Sequence, residues 1–357
     1  RPPSAPLTPY DWCGVPDPMN ESMPGHGVRA IVDRARELVR RATRRDQVAF
    51  ILSGGGNLGA VQVGMLRALA EAGVVPDLIV GCSVGAINGA AFAAEPDERG
   101  VERLDRIWGR IADGDPDLMP SSRFVHPTVQ MARRGESIHD QSRLEELLDE
   151  ELTAKSFQQL QIPFSCVATD IDTADEVWFE QGRIVPALLA SAALPAVYPA
   201  RFFAGRNLID GGVLREIHVH RAVELGATEL YVLHVGHLDE RPTEIQRPFD
   251  SAVRAYWTAR RYRFDDDMRR IPSHCVVHRM PAGSSPVLRF NDFTRGRELA
   301  GLAYEASASF LQTGRTPRPV AGPTSDQLDE SQNELAEQFA DETDLSRIDS
   351  ITELERR

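Results

Sequence analysis

Short apolar runs alternate along the middle of the chain with stretches in which apolar residues recur every three or four positions, the pattern of strands followed by amphipathic helices. Gln47-Val-Ala-Phe-Ile-Leu-Ser53 reads as a strand, and helical spacing then runs from Leu58 to Ala72 and stops at Gly73. The unit repeats at once, with Leu78-Ile-Val-Gly-Cys82 as a buried strand and a small-residue helix over 84–94. Two consecutive strand–helix units predict a parallel sheet with helices on its faces. Further strands are predicted over 164–169, 176–180, 230–235 and 275–280, and helices over 98–111, 141–152, 184–193, 222–225, 245–264 and 294–311. His218 and His220 fall in a segment read as strand or turn.

The flanks differ. Residues 1–27 are rich in Pro, Gly and Asp, too broken by proline for a helix or central strand. A helix beginning at Val28 and ending at Arg45 places Ile31, Val32, Ala35, Leu38, Val39 and Ala42 at helical spacing, with seven arginines on its other faces. It suits either a surface helix packed on the core or a peripheral membrane contact. Beyond Gly314 come Pro317, Pro319 and Pro323, then an acidic stretch poor in aromatics, expected to be disordered or loosely docked. The expected organisation is an N-terminal extension over 1–46, one α/β domain over 47–313 and an acidic tail over 314–357.

Charge excludes one class of partner. The chain carries 53 acidic against 40 basic residues, a net of −13, which argues against nucleic-acid binding because that binding neutralises phosphates. From 324 onward eleven acids face three arginines, so the tail holds −8 and the remainder about −5, nearly balanced. The most apolar stretch, over 74–94, is interrupted by Pro76, Asp77, Ser83 and Asn88, so no membrane span is predicted. The four cysteines form no CxxC pair, and neither a metal site nor a cofactor is expected. The first residues lack the apolar core of a signal peptide, which makes the cytoplasm the expected compartment, with the basic helix as a contact to the inner face of the membrane.

Three motifs carry chemistry. Gly54-Gly55-Gly56-Asn57-Leu58-Gly59 joins a strand to a helix, where glycines admit close backbone approach and helix amides attract an anion. Gly54, Gly56 and Gly59 also satisfy the dinucleotide fingerprint, but Asp77 stands at the start of the second strand instead of its end. Gly81-Cys82-Ser83-Val84-Gly85 is a G-x-S-x-G between strand and helix, the pattern of a nucleophile elbow; a tight turn with a capping serine would look the same. In Asn207-Leu-Ile-Asp210-Gly211-Gly212 an apolar approach ends in a carboxylate, which suits a turn when taken alone and a general base beside the other two motifs.

The three motifs in this order, with a fourth block at Ala190-Ser-Ala-Ala-Leu-Pro-Ala-Val-Tyr-Pro199, resemble the patatin-like phospholipases, lipid acyl hydrolases that use a Ser–Asp dyad. The resemblance spans roughly 47–312. It implies the three-layer patatin-like α/β fold, Ser83 as nucleophile, Asp210 as base, and an oxyanion hole from Gly54, Gly55 and Gly56, with Gly59, Gly81, Gly85, Gly211 and Gly212 as motif support. A lipid or other acyl ester is the implied substrate. The chain departs from the family at Leu58, where Arg or Lys is common, which weakens a preference for anionic head groups but leaves the backbone amides unaffected, and at Arg215-Glu216, near where the family often shows Asn-Pro, residues not expected to perform the chemistry.

An unperturbed Asp has a pKa near ~3.9 and is a weak base at neutral pH, so a largely enclosed Asp210 is expected. Two other readings stand beside the dyad. A Ser–His–Asp triad could recruit His218, His220, His234, His237, His274 or His278, all of which follow Asp210. A non-catalytic lipid-binding module could use the basic N-terminal helix and the segment 254–270, which mixes Tyr256, Trp257, Tyr262 and Phe264 with arginines. The helix over 98–111 and the loop over 113–135 follow the nucleophile unit and are candidates for a lid.

Overall fold

A computed structural model describes residues 47–112, 141–195, 197–235, 248–283 and 293–314, with side chains described from 258 onward in the fourth segment. The basic N-terminal helix, the lid loop, His237, the aromatic pair Tyr256 and Trp257, and the acidic tail lie outside the described residues or side chains.

Eight strands form one sheet. Strands β1 (Val48–Leu52), β2 (Leu78–Cys82), β3 (Phe164–Asp170), β7 (Glu229–Leu233) and β8 (Val276–Arg279) make its parallel body in the order β8-β7-β1-β2-β3. Strands β4 (Glu176–Phe179) and β6 (Arg206–Asp210) run antiparallel to β3, and β5 (Arg201–Phe203) runs antiparallel to β6 at the sheet's edge.

Helices cover both faces, as parallel strands buried on two sides require. Alternation along each strand divides the core: Phe50, Leu52 and Ile79 join one apolar cluster, while Ala49, Ile51 and Val80 join the other. Over the first cluster pack α1 (Ala60–Glu71), α2 (Val84–Ala94), α3 (Glu98–Ala112), α4 (Ser142–Glu151), α5 (Ile184–Ser191) and α8 (Gly296–Thr313). Over the second lie the short α6 (Val219–Glu224) and, through Phe264, α7 (Pro248–Arg269). Burying one such large side chain contributes roughly 1.5–3 kcal/mol, and both clusters hold many. Gly314, in the left-handed region at φ 65, caps α8 by donating to the Phe310 carbonyl.

Two local readings are corrected. The segment with His218 and His220 is neither strand nor turn: His218 stands at the N-terminus of α6 and His220 lies inside it. The hairpin β5–β6 is not among the predicted strands; its two-residue turn, Ala204-Gly205, takes φ 50 and 77, the left-handed pair that a tight hairpin needs.

The hairpin decides what meets at the end of the sheet. Strand β4 pairs without a break along one edge of β3, from Cys166 to Thr169. On the other edge Val167 pairs with Cys82 of β2, and the next residue, Ala168, pairs with Asp210 of β6. Strands β2 and β6 therefore approach head to head along a shared edge. The residue after β2 and the last residue of β6 are forced together.

Candidate active site

Ser83 and Asp210 occupy that junction. The Ser83 Oγ donates to Asp210 Oδ2 at 2.5 Å, and the second carboxylate oxygen accepts from the Gly212 amide at 2.7 Å. Ser83 has φ 54 and ψ −126, a conformation rare for a residue with a side chain and one of three non-glycine positive φ values among the described residues. The strain turns the hydroxyl outward at the start of α2. Glycines make the turn physically possible: a Cβ on Gly85 would lie 2.4 Å from the Ser53 carbonyl oxygen, and one on Gly81 would lie 2.6 Å from that of Gly85. On Gly211 it would meet the Val167 carbonyl oxygen at 2.6 Å.

Asp210 is buried, with 3% of its surface exposed. Burial pushes its carboxyl up, against the Ser83 hydroxyl, the Gly212 amide and the Arg260 charge, to about 6. One turn of chain fixes both partners. The Ser191 hydroxyl at the end of α5 accepts from the Ser83 amide at 2.9 Å, and the Ala193 carbonyl accepts from the Asp210 amide at 2.9 Å. The fourth sequence block thus lies against both residues through Ser191 and Ala193.

The Gly-rich loop follows β1 and tightens into a 3-10 turn over Gly56–Gly59 before α1. Its first glycine is committed elsewhere: the Gly54 amide donates to the Glu216 carbonyl at 3.0 Å, which removes it from the expected anion-binding set. Among the described residues, no group accepts from the amides of Gly55 and Gly56, nor from that of Val84 at the start of α2. Gly56 sits at φ 55 with open space where a Cβ would be. Gly59 is required by packing, since a Cβ there would overlap Val84 and Trp108.

Sequence reasoning missed the polar frame behind this loop. Gln62 Nε2 donates to the carbonyls of Ser53 at 2.9 Å and Leu233 at 3.0 Å, and Asn88 Nδ2 donates to Gly59 at 2.9 Å and to Gln62 Oε1 at 2.9 Å. Trp108 Nε1 completes the set on Asn88 Oδ1 at 2.9 Å. Both ends of the loop are held by buried amides, and the signal was present as a lone Gln and a lone Asn among the apolar positions of two helices. The second missed group is Glu216, buried between Arg260 at 2.6 Å and His234 at 3.4 Å. Burial pushes the Glu216 carboxyl up, but His234 and Arg260 outweigh it and hold it at about 2.

The hydrogen-bond partners of the Asp210 carboxylate are Ser83 and Gly212, and the described histidines other than His274 pair with other carboxylates. His218 and His220 face Glu176, His234 faces Glu216, and His278 faces Glu229, while His274 is exposed. Among the described residues no cluster of His, Cys, Asp and Glu is arranged to hold a metal ion, and no helix is long and apolar enough to cross a membrane. Cys82 and Cys166 are buried free thiols whose ionisation burial disfavours.

A mainly parallel sheet covered on both faces, with a strained serine at a strand–helix junction and a buried aspartate against it, has the local geometry of a nucleophile elbow. Residues 50–223 match the family model described as patatin-like phospholipase. Lysophospholipase nte1 of Aspergillus terreus is 24% identical over 276 residues, which are 75% of this chain and 16% of that protein. An uncharacterized NTE family protein of Mycobacterium tuberculosis is 33% identical over 178 residues, 49% of this chain and 45% of that one. The chain thus spans less than half the length of these relatives. The crystal structure of VipD from Legionella pneumophila aligns at a TM-score of 0.40 and 13% identity, over 75% of this chain and 67% of that one.

Proposed function

We propose that this protein is a serine acyl hydrolase that cleaves carboxylic esters of lipids through Ser83 and Asp210. The observation that carries the reading is the 2.5 Å contact between the hydroxyl of a strained Ser83 and a buried Asp210 carboxylate. The family model that residues 50–223 match, patatin-like phospholipase, supports the substrate class.

In the reaction, the Ser83 Oγ attacks the ester carbonyl carbon and its proton passes to Asp210 Oδ2. A carboxyl near 6 is a stronger base than an ordinary aspartate and is still ionised at neutral pH, the compromise that general-base catalysis needs. The carbonyl oxygen becomes an oxyanion, held by the amides of Gly55 and Gly56 and by the first amides of α2. Each such donor typically lowers the barrier by about 2.7–4 kcal/mol. The carbon–oxygen bond to the leaving alcohol then breaks, and the alcohol takes the proton from Asp210. Water attacks the acylated Ser83, gives its proton to Asp210, and the carboxylic acid departs as that proton returns to Ser83.

A fluorophosphonate probe reacts only with an activated serine, so labelling of the full chain is the direct test. Wild type should label and hydrolyse p-nitrophenyl esters, while Ser83→Ala and Asp210→Ala should lose both. A folded wild type that neither labels nor hydrolyses, yet binds lipid vesicles, would replace the enzyme with a lipid-binding module.

A further inference from the structure

The charged segment around α7 looks in sequence like a solvated or membrane-facing helix, yet part of its charge points inward. Arg260, Arg263 and Asp267 stand at spacing i, i+3, i+7, on one helix face with the buried Phe264. Each grips the segment that follows Asp210. Arg260 pairs with Glu216 at 2.6 Å, Arg263 donates to the Val213 carbonyl at 3.3 Å, and Asp267 pairs with Arg215. The Glu216 backbone then holds Gly54, whose Cα carries so little room that a Cβ would touch the Ser83 Cβ at 3.3 Å. One helix face, one loop and the proposed nucleophile form a continuous mechanical path.

We propose that Glu216 and Arg260 are positioning residues of the active site: their ion pair, on the inner face of α7, locks the Asp210–Glu216 segment against the Gly-rich loop and sets the field at Asp210 through two charges of opposite sign. The inference rests on the hydrolase reading and deepens it. The groups that act on Asp210 are Ser83 and Cys82 from the β2 junction, Glu216 from its own loop and Arg260 from α7, with His234 from the end of β7 acting on Glu216. Arg260 favours the ionised Asp210 and Glu216 disfavours it. Paired, they act on the carboxyl with opposite sign, beside its burial and its hydrogen bonds with Ser83 and Gly212. A buried pair of this kind costs desolvation that only good geometry repays, and a role in specifying a conformation is a reason for a fold to keep one.

The opposition gives a signature that a merely structural pair would lack. Measured on the full chain, the acid limb of kcat/KM for a p-nitrophenyl ester should move to lower pH in Glu216→Gln and to higher pH in Arg260→Gln, each by about one unit. Glu216→Gln combined with Arg260→Gln should return the limb towards wild type, and Arg260→Lys, which keeps the charge, should leave it there. Should Arg260→Gln not fold, Glu216→Gln and Arg260→Lys still decide the question. Limbs that move in the same direction, or folded variants whose rates fall with unchanged limbs, would overturn the proposal. A carboxyl titration of Asp210 by 13C NMR, in Ser83→Ala protein and assigned by loss of the signal in Asp210→Asn, should shift in the same opposed directions. That titration needs no turnover, so an inactive wild type would sink the hydrolase reading while the positioning inference is still tested.

Discussion

The two halves of the proposed dyad are held by different physics. Around Ser83 the constraint is shape: Gly81 and Gly85 leave no space for a methyl group, and the strained backbone survives because strand, turn and helix close on it from all sides. Around Asp210 the constraint is charge and hydrogen bonding, from the Gly212 amide, the Ala193 carbonyl and the Glu216–Arg260 pair. A steric hold is indifferent to pH and salt. An electrostatic one can be tuned, which suits the residue that must take and return a proton.

The largest effect is expected where shape rules. Gly85→Ala would drive a methyl into the carbonyls of Ser53 at 2.4 Å and Leu52 at 2.5 Å, backbone atoms that cannot swing away. Overpacking of this kind costs about 3 kcal/mol or more at a rigid site. A thermal melt should show a clear fall in Tm at every pH, and fluorophosphonate labelling should disappear. Equal loss from Gly301→Ala in α8, where a Cβ meets nothing within 4 Å and the backbone is helical, would contradict a steric origin.

Where charge rules, the sign should depend on the residue. Asp210 and Glu216 are buried carboxylates six positions apart, yet one is raised to about 6 and the other lowered to about 2. A raised carboxyl stabilises the fold below its unfolded value of 3.8, and that contribution is lost as pH rises through about 6. Asp210→Asn stays neutral throughout, so it should abolish turnover and melt above wild type at pH 7–8, by up to about 2–3 kcal/mol, with no gain near pH 4. Glu216 runs the other way. Its stabilisation is present above 4.5 and lost as pH falls through about 2, so Glu216→Gln should melt below wild type at neutral pH, with the gap closing in acid. Melts of both variants across pH would break the comparison if the two moved together.

The same division explains what could be read from the chain. Gly81-Cys-Ser-Val-Gly85 announces its elbow locally, because the steric demand falls on neighbours in sequence, and the strand and helix around it follow from apolar spacing. The hairpin that delivers Asp210 was illegible: Ala204-Gly205 is an unusual turn pair, and β5 and β6 are short, with Phe202 exposed. Glu216 and Arg260 lie 44 positions apart, and nothing local tells a charge on α7 that faces inward from one that faces water. The Gly-rich loop was legible as a turn between strand and helix but not in its detail, since the carbonyl that claims the Gly54 amide comes from Glu216, far along the chain.

Ser191 tests where the two regimes join. Its hydroxyl accepts from the Ser83 amide at 2.9 Å, and two residues later Ala193 holds the Asp210 amide, so one helix end registers the steric half against the electrostatic half. Ser191→Ala removes one hydrogen bond from a fully buried site and leaves the Ser83 N–H without that partner, a change of about 1–2 kcal/mol. If the bond mainly fixes the hydroxyl's aim, kcat should fall about tenfold with KM and the acid limb unchanged. Ser191→Thr, which keeps the acceptor, should recover most of that loss. A fall in Tm with full labelling rate would instead show that Ser191 serves packing, and the two halves would then be registered by the sheet edge of β3 alone.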